Sequence, residues 1–130
     1  MELFKLSIIP TVDVKSASQE AKNYLKSFED WNLIYSRRKI SNLANPIEHQ
    51  QAKYELVERR TVVSAVNQID PSSAIILECR FIKKYSTQKT IEQLARHDIT
   101  ITVGNFYHRQ RKALLLAYEF MPKSHTKIVK

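Results

Sequence analysis

The sequence predicts an all-α protein, and three observations predict it. The chain of 130 residues contains a single glycine, too few for the tight turns of a β-rich fold or for a glycine-rich phosphate loop. Ala, Leu, Lys, Glu and Gln, the strong helix formers, are abundant. The four prolines read as punctuation, and two of them, in Asn45-Pro46 and Asp70-Pro71, follow a side chain suited to helix capping. A hydrophobic fraction of 43% is enough for a core and argues against global disorder.

Taken in order, Leu6 to Ile9 before Pro10 reads as an extended lead-in. Asp13 is then the expected N-cap of one long helix reaching about Lys39, with Ala17, Ala21, Tyr24, Leu25, Phe28, Trp31, Ile34 and Tyr35 on its apolar stripe. Arg37, Arg38 and Lys39 complement the dipole at its end. The aromatic part of the stripe (Tyr24, Phe28, Trp31, Tyr35) must be buried in the chain or in a second copy, so a homodimer is one expectation. After a loop, Asn45-Pro46 opens a helix to Ile69 with Tyr54, Leu56, Val63, Val66 and Ile69 as expected core positions; its centre, 55–60, is charged and expected to be exposed. Asp70-Pro71 opens the next helix, 72–82, which buries Ile76, Leu77, Phe81 and one or both of Cys79 and Arg80. Residues 83–86 link it to a short helix, 88–98, capped by Thr87 or Ser86, with Ile91, Leu94 and Ala95 inward.

The last helix carries the functional signal. Thr102 is its expected N-cap, and Ile101 and Phe106 have the spacing of a hydrophobic staple. Phe106, Ala113, Ala117 and Phe120, widened by Leu114 and Leu116, mark the buried face up to Pro122. Tyr107, His108, Arg111 and Lys112 then point outward. A polar, aromatic and cationic front of this kind suits the major groove of DNA; an ordinary surface helix with a solvated basic face is the plain alternative.

Charge agrees with a polyanionic partner. Of the net +8, the segment 99–130 supplies most, with six Lys/Arg against one Glu, although Lys123, Lys127 and Lys130 belong to a tail. Enzyme chemistry is not expected. The four histidines are scattered, Cys79 fits a core position better than a nucleophile, and no carboxylate pair accompanies the basic end, so neither a metal nor a cofactor is implied. A lone cysteine excludes an intramolecular disulfide, no apolar run approaches a membrane span, and the N-terminus lacks a basic leader, which makes a cytoplasmic location the default.

The last sixty residues resemble the helix-turn-helix of region four of bacterial sigma factors: a helix after Asp-Pro, the segment Glu78-Cys-Arg-Phe, a short capped helix, a turn, and a helix carrying Lys112-Ala-Leu. Over nearly the whole chain the sequence is similar to the ArpU-type regulators of temperate phages and prophages. The carrying residues are Asp13-Val-Lys, Tyr24-Leu-Lys-Ser-Phe, Asp70-Pro71 through Arg80-Phe-Ile, and above all Asn105-Phe-Tyr-His-Arg-Gln-Arg-Lys-Ala-Leu-Leu. The resemblance implies long N-terminal helices followed by a sigma-like helix-turn-helix bundle. The chain is expected to divide into an N-terminal helical arm or interaction region (1–69), a helix-turn-helix DNA-binding domain (70–122) and a basic flexible tail (123–130).

The resemblance further implies a regulator of late phage genes whose partners are double-stranded DNA and, through the first helix, RNA polymerase or a second copy. The alternative is a helical adaptor that contacts polymerase without reading DNA. Val103, Gly104, Tyr107, His108 and Arg111 would meet base edges. Thr102 caps; Asn105 either reads adenine or closes the cap. Arg111 and Lys112, then Thr87 and Lys89, are the phosphate candidates. Three departures stand out. Asp98-Ile-Thr replaces the usual glycine of the turn, which predicts a longer or reshaped turn. Arg109 replaces an apolar residue, with its stem packed and its head expected in solvent. His108 stands where arginine is common.

Overall fold

A computed structural model describes residues 13–40 and 45–122. Among these every regular element is helical: α1 (Val14–Lys26), α2 (Phe28–Ile40), α3 (Pro46–Ile69), α4 (Pro71–Leu77) running into a π-helical turn (Glu78–Ile82), α5 (Thr87–Ala95) and α6 (Val103–Phe120). The expected lead-in at 6–9, most of the loop after residue 40 and the basic tail lie outside the described residues.

The capping residues act as their positions predict. The Asp13 carboxylate accepts from the N–H groups of Lys15 (3.1 Å) and Ser16 (3.3 Å) and from the Ser16 hydroxyl (2.7 Å). These bonds, the Ser16 hydroxyl foremost, hold its pKa below the ordinary carboxylate value. Asn45 accepts from Ile47 N–H at 2.8 Å ahead of Pro46 at the helix start. Asp70 differs, because its carboxylate takes the hydroxyls of Ser72 (2.9 Å) and Ser73 (2.8 Å).

The single long first helix is in fact two, divided at Ser27. The Ser27 hydroxyl donates to the Tyr24 carbonyl (2.6 Å), and Arg59 Nε donates to the same carbonyl (2.9 Å) and to Ser27 Oγ (3.1 Å). A carbonyl engaged by a serine hydroxyl and a guanidinium has alternatives to the helical ladder, and serine back-bonding of this kind bends helices. Arg59 thus clamps the α1–α2 break from α3.

That clamp overturns the expectation that 55–60 is exposed. Glu55 and Arg59 are buried, at 7% and 3% exposure. Arg59 Nη1 meets Glu55 Oε1 at 2.6 Å and Glu58 Oε1 at 3.7 Å, while the Tyr24 hydroxyl donates to Glu58 Oε1 at 2.8 Å. The guanidinium also lies 4.1 Å from the centre of the Tyr24 ring. Burial, then the hydrogen bond to Glu58, pushes the Tyr24 hydroxyl far above its ordinary pKa. Charges out of water are tolerated only when paired and hydrogen-bonded, and these are.

One apolar cluster runs through the chain and crosses residues 69 and 70. Ala17, Ala21, Tyr24 and Leu25 of α1 meet Val62, Val63 and Val66 of α3, Ile76 and Leu77 of α4, Leu94 of α5, and Phe106, Ala113, Leu114, Ala117 and Tyr118 of α6. Cys79 and Phe81 are buried as expected, and burial raises the Cys79 thiol pKa. Four expected core positions face water instead: Tyr54, Ile69, Ala95 and Phe120. On α3 the buried face is Ala52-Glu55-Arg59-Val62-Val66, which leaves Tyr54 and Ile69 off it. On α6 it passes through Gln110, Tyr118 and Met121 and leaves Phe120 outside. The aromatic stripe is largely covered within the chain: Tyr24 and Phe28 are buried, and Tyr35 stacks on His49 with ring centres 4.5 Å apart.

Candidate nucleic-acid interface

The candidate interface is built on α5, its turn and α6. Ser86, not Thr87, caps α5, accepting from Lys89 N–H at 3.1 Å and leaving Thr87 as the first helical residue. At the far end Ile99 N–H returns to the Leu94 carbonyl (3.0 Å) and Asp98 N–H to the Ala95 carbonyl (3.0 Å). These paired bonds form a Schellman turn, which places one residue in the left-handed region. Asp98 occupies it at φ 63°. The turn is neither longer nor reshaped, contrary to what the missing glycine predicts: an aspartate takes the conformation a glycine would adopt, at a modest steric cost. Ile99 packs against the core beyond it, the apolar contact that often accompanies this motif.

From the turn the chain enters α6 through its staple, with Ile101 buried at 8% exposure and Phe106 at 0%. Thr102 Oγ1 accepts from Asn105 N–H at 3.2 Å. Gln110, given no role in the sequence analysis, is buried and accepts from Arg80 Nε at 3.1 Å. Arg80 also donates to the Tyr85 carbonyl at 2.9 Å, so one guanidinium joins α6 to the π-helical turn and to the start of α5. That turn ends in a second left-handed residue, Lys84 (φ 61°), which pairs with Glu29 at 3.3 Å.

Thr102, Val103, Gly104, Asn105, Tyr107, His108, Arg111 and Lys112 are all exposed. Val103 and Tyr107, 56% and 54% exposed, are apolar or aromatic groups held in water at the front of the helix. Positions 103, 104, 107, 108 and 111 share one face by helical spacing, and Lys112 lies one turn beyond His108. A Cβ on Gly104 would meet nothing closer than Thr102 Oγ1 at 4.0 Å, so packing within the chain does not require glycine there. The Asn105 side chain is in water, while its N–H satisfies the cap.

Two of the phosphate candidates sit differently. Thr87 Oγ1 and the Tyr107 hydroxyl share a hydrogen bond of 2.9 Å, which ties the start of α5 to the front of α6. Tyr107 is braced from behind by the edge of Phe106, with centres 5.3 Å apart. Lys89 instead places its ammonium 4.1 Å from the Tyr85 ring centre. Tyr85 lies before the start of α5, so no helical spacing announces its contact with Lys89. Arg109 does not run free into solvent: its Nη2 donates to Ser72 Oγ at 3.0 Å, and Ser72 in turn donates to Asp70. Burial alone would raise the Asp70 pKa, but the hydrogen bonds from Ser73 and Ser72, with the charge of Lys112, outweigh it and keep the group ionised below the ordinary carboxylate range.

The electrostatic character of α6 follows from its sequence. Between Ile99 and Tyr118 there is no acidic residue, while Arg109, Arg111 and Lys112 are cationic. Among the described residues no group of three or more His, Cys, Asp or Glu is placed to hold a metal ion, and no helix is long and apolar enough to cross a membrane. Comparison of the chain with protein-family models, with curated proteins and with solved structures gives no match.

Proposed function

We propose that this chain is a phage-type transcriptional regulator that binds promoter DNA, with α5 crossing the backbone and the front of α6 in the major groove. The observation that carries the reading is the α6 front itself. It is exposed over two turns, free of acidic residues, and rigidly seated by a capped turn and a fully buried Phe106. Arg111 and Lys112 supply backbone affinity, while Val103, Gly104, Asn105, Tyr107 and His108 approach base edges. The joined hydroxyls of Thr87 and Tyr107 keep one O–H free to donate to a phosphate oxygen. The protein acts without metal or cofactor and carries out no catalysis, and its place is the cytoplasm, where the DNA is.

Control of late phage genes and a contact with RNA polymerase rest on the resemblance to ArpU-type regulators. Footprinting on the neighbouring late-gene promoter region, with and without polymerase, tests both. The expected result is a protected site without polymerase that Arg111→Ala weakens. Protection seen only with polymerase and indifferent to Arg111→Ala would replace this reading with the adaptor.

A further inference from the structure

Between α3, α4 with its π-helical turn, and α5 lies an open groove of about 370 Å³, to which α6 contributes no residue. Small-ligand sites occupy about 300–1,000 Å³, and the groove falls within that range. Val63, Ala74, Ile75 and Cys79 make its floor apolar, and Ile75 is only half-buried there. Around this floor stand Ser64 and Asn67 of α3 and Gln93 of α5, whose side chains make no hydrogen bond to another described residue. An apolar concavity edged by a few uncommitted polar groups is the pattern of a ligand site. The π-helical turn that begins at Glu78 forms part of the wall, and such turns recur at functional sites.

The charges at the edge are not equivalent. Arg60 is committed within the chain, to Glu78 at 3.7 Å and to the Phe28 ring at 5.0 Å, so this pair brings the groove no net charge. Lys83 differs. It is exposed and forms no ion pair among the described residues. Its ammonium lies 5.7 Å from the Tyr85 ring, which Lys89 already covers at 4.1 Å. Burial raises the Cys79 thiol pKa and the Lys83 charge opposes that rise, so this ammonium stands close to the groove floor.

We propose that this groove binds a small organic carboxylate with an apolar body, aliphatic or aromatic, whose anionic group pairs with Lys83. The apolar floor covers the body of the ligand, and the amides of Asn67 and Gln93 serve any polar group along its sides. A cation of the same size would meet Lys83 and be repelled, while a neutral analogue would lose the ion pair. The site is open and the pairing is exposed to solvent, so the affinity is modest, with a dissociation constant of about 0.1–1 mM. The groove does not include the front of α6, and the proposal stands whether or not that front binds DNA.

Titration of the full chain with octanoate, without DNA and followed by the NMR shifts of its backbone amides, tests this directly. The expected result is saturable shifts centred on residues 60–67, 74–83 and 93–97, half complete at about 0.1–1 mM. Octylammonium, the same chain with the opposite charge, is expected to bind about tenfold more weakly or less. Lys83→Glu, at an exposed position, is expected to weaken octanoate binding by about tenfold or more. Ser64→Trp, also at an exposed position, fills the groove from α3 and is expected to abolish binding, with the helical circular dichroism spectrum of the wild type. Lys53→Glu, exposed on α3 but outside the groove, is expected to bind octanoate as the wild type does. Absence of saturable shifts up to about 10 mM overturns the proposal. So do shifts centred elsewhere, equal binding of octylammonium, unchanged binding by Lys83→Glu, or an equal loss in Lys53→Glu.

Discussion

The junction of α1, α2 and α3 and the turn between α5 and α6 face the same task, fixing where one helix stops and another begins, and they solve it with different chemistry. At the junction the break at Ser27 is held from a distance, by the buried guanidinium of Arg59 with Glu55, Glu58 and Tyr24 around it. At the turn everything is local: a Schellman pair of bonds, Asp98 in the left-handed region, a threonine cap and an apolar staple. Distant ionic clamps fail all at once when one partner is removed. The hydrogen bonds and cap of a local turn fail gradually, one small term at a time, whereas its staple residue Phe106 also belongs to the core. The surface that would meet DNA stands on the local construction, so its residues can change without loosening the rest of the chain.

The sharpest way to break this comparison is Arg59→Met. It leaves Glu55 and Glu58 without their buried cation and is expected to cost about 3–5 kcal/mol in chemical denaturation. Adding Glu55→Gln and Glu58→Gln should recover much of that loss, because the penalty comes from uncompensated charge. Phe106→Ala, a cavity in the apolar core, is expected to cost a similar amount, about 3–5 kcal/mol, and the same glutamine changes should not rescue it. Equal rescue of both variants would erase the distinction between the two regions.

How far each region could be read from the sequence follows the same division. The caps at Asp13, Asn45 and Thr102, the Ile101–Phe106 staple and the helical class are local features, and local rules find them. The clamp is not local: Tyr24 and Arg59 are thirty-five residues apart, and nothing periodic joins them. A signal did exist on α3, where positions 52, 55, 59, 62 and 66 follow a three-four repeat, but two of them are charged and the stripe reads as interrupted. The same oversight put Tyr54 and Ile69 in the core. On α6 the buried Gln110 masks the true direction of the stripe, so the apolar spacing points to Phe120 as its end although Phe120 is exposed. The Asp98 turn was misread for the opposite reason: the missing glycine suggested a different turn, whereas aspartate tolerates the left-handed conformation.

Asp70 sharpens the comparison through pH. Its carboxylate binds the two serine hydroxyls at the start of α4, and Asp70→Asn is expected to cost about 1 kcal/mol near neutral pH. Because its folded pKa is depressed, this contribution is complete above the ordinary carboxylate value of about 4 and disappears as pH falls through the folded pKa. Denaturation midpoints of wild type and variant should therefore converge under acid conditions and differ at neutrality.

The smallest effects belong to the turn and the front of α6. Asp98→Gly is expected to stabilise by up to about 1 kcal/mol by removing the steric cost of the left-handed residue, and Asp98→Val to destabilise by about as much. Gly104→Ala is expected to stabilise by roughly 0.5–1 kcal/mol, since the site is helical and open. If the bare backbone at Gly104 serves close approach to DNA, the same variant binds promoter fragments more weakly while melting higher. Tighter or unchanged binding would remove Gly104 from the contact surface.

The central claim, that the front of α6 binds DNA, is tested most directly by the salt dependence of promoter-fragment affinity for wild type and Arg111→Ala, measured by fluorescence anisotropy. Arg111 is exposed, so folding stability should not change. The expected result is a steep fall in affinity with salt for the wild type, and for Arg111→Ala a slope shallower by about one with uniformly weaker binding. A wild-type affinity that ignores salt, or an Arg111→Ala variant with the same slope and affinity as the wild type, would contradict it.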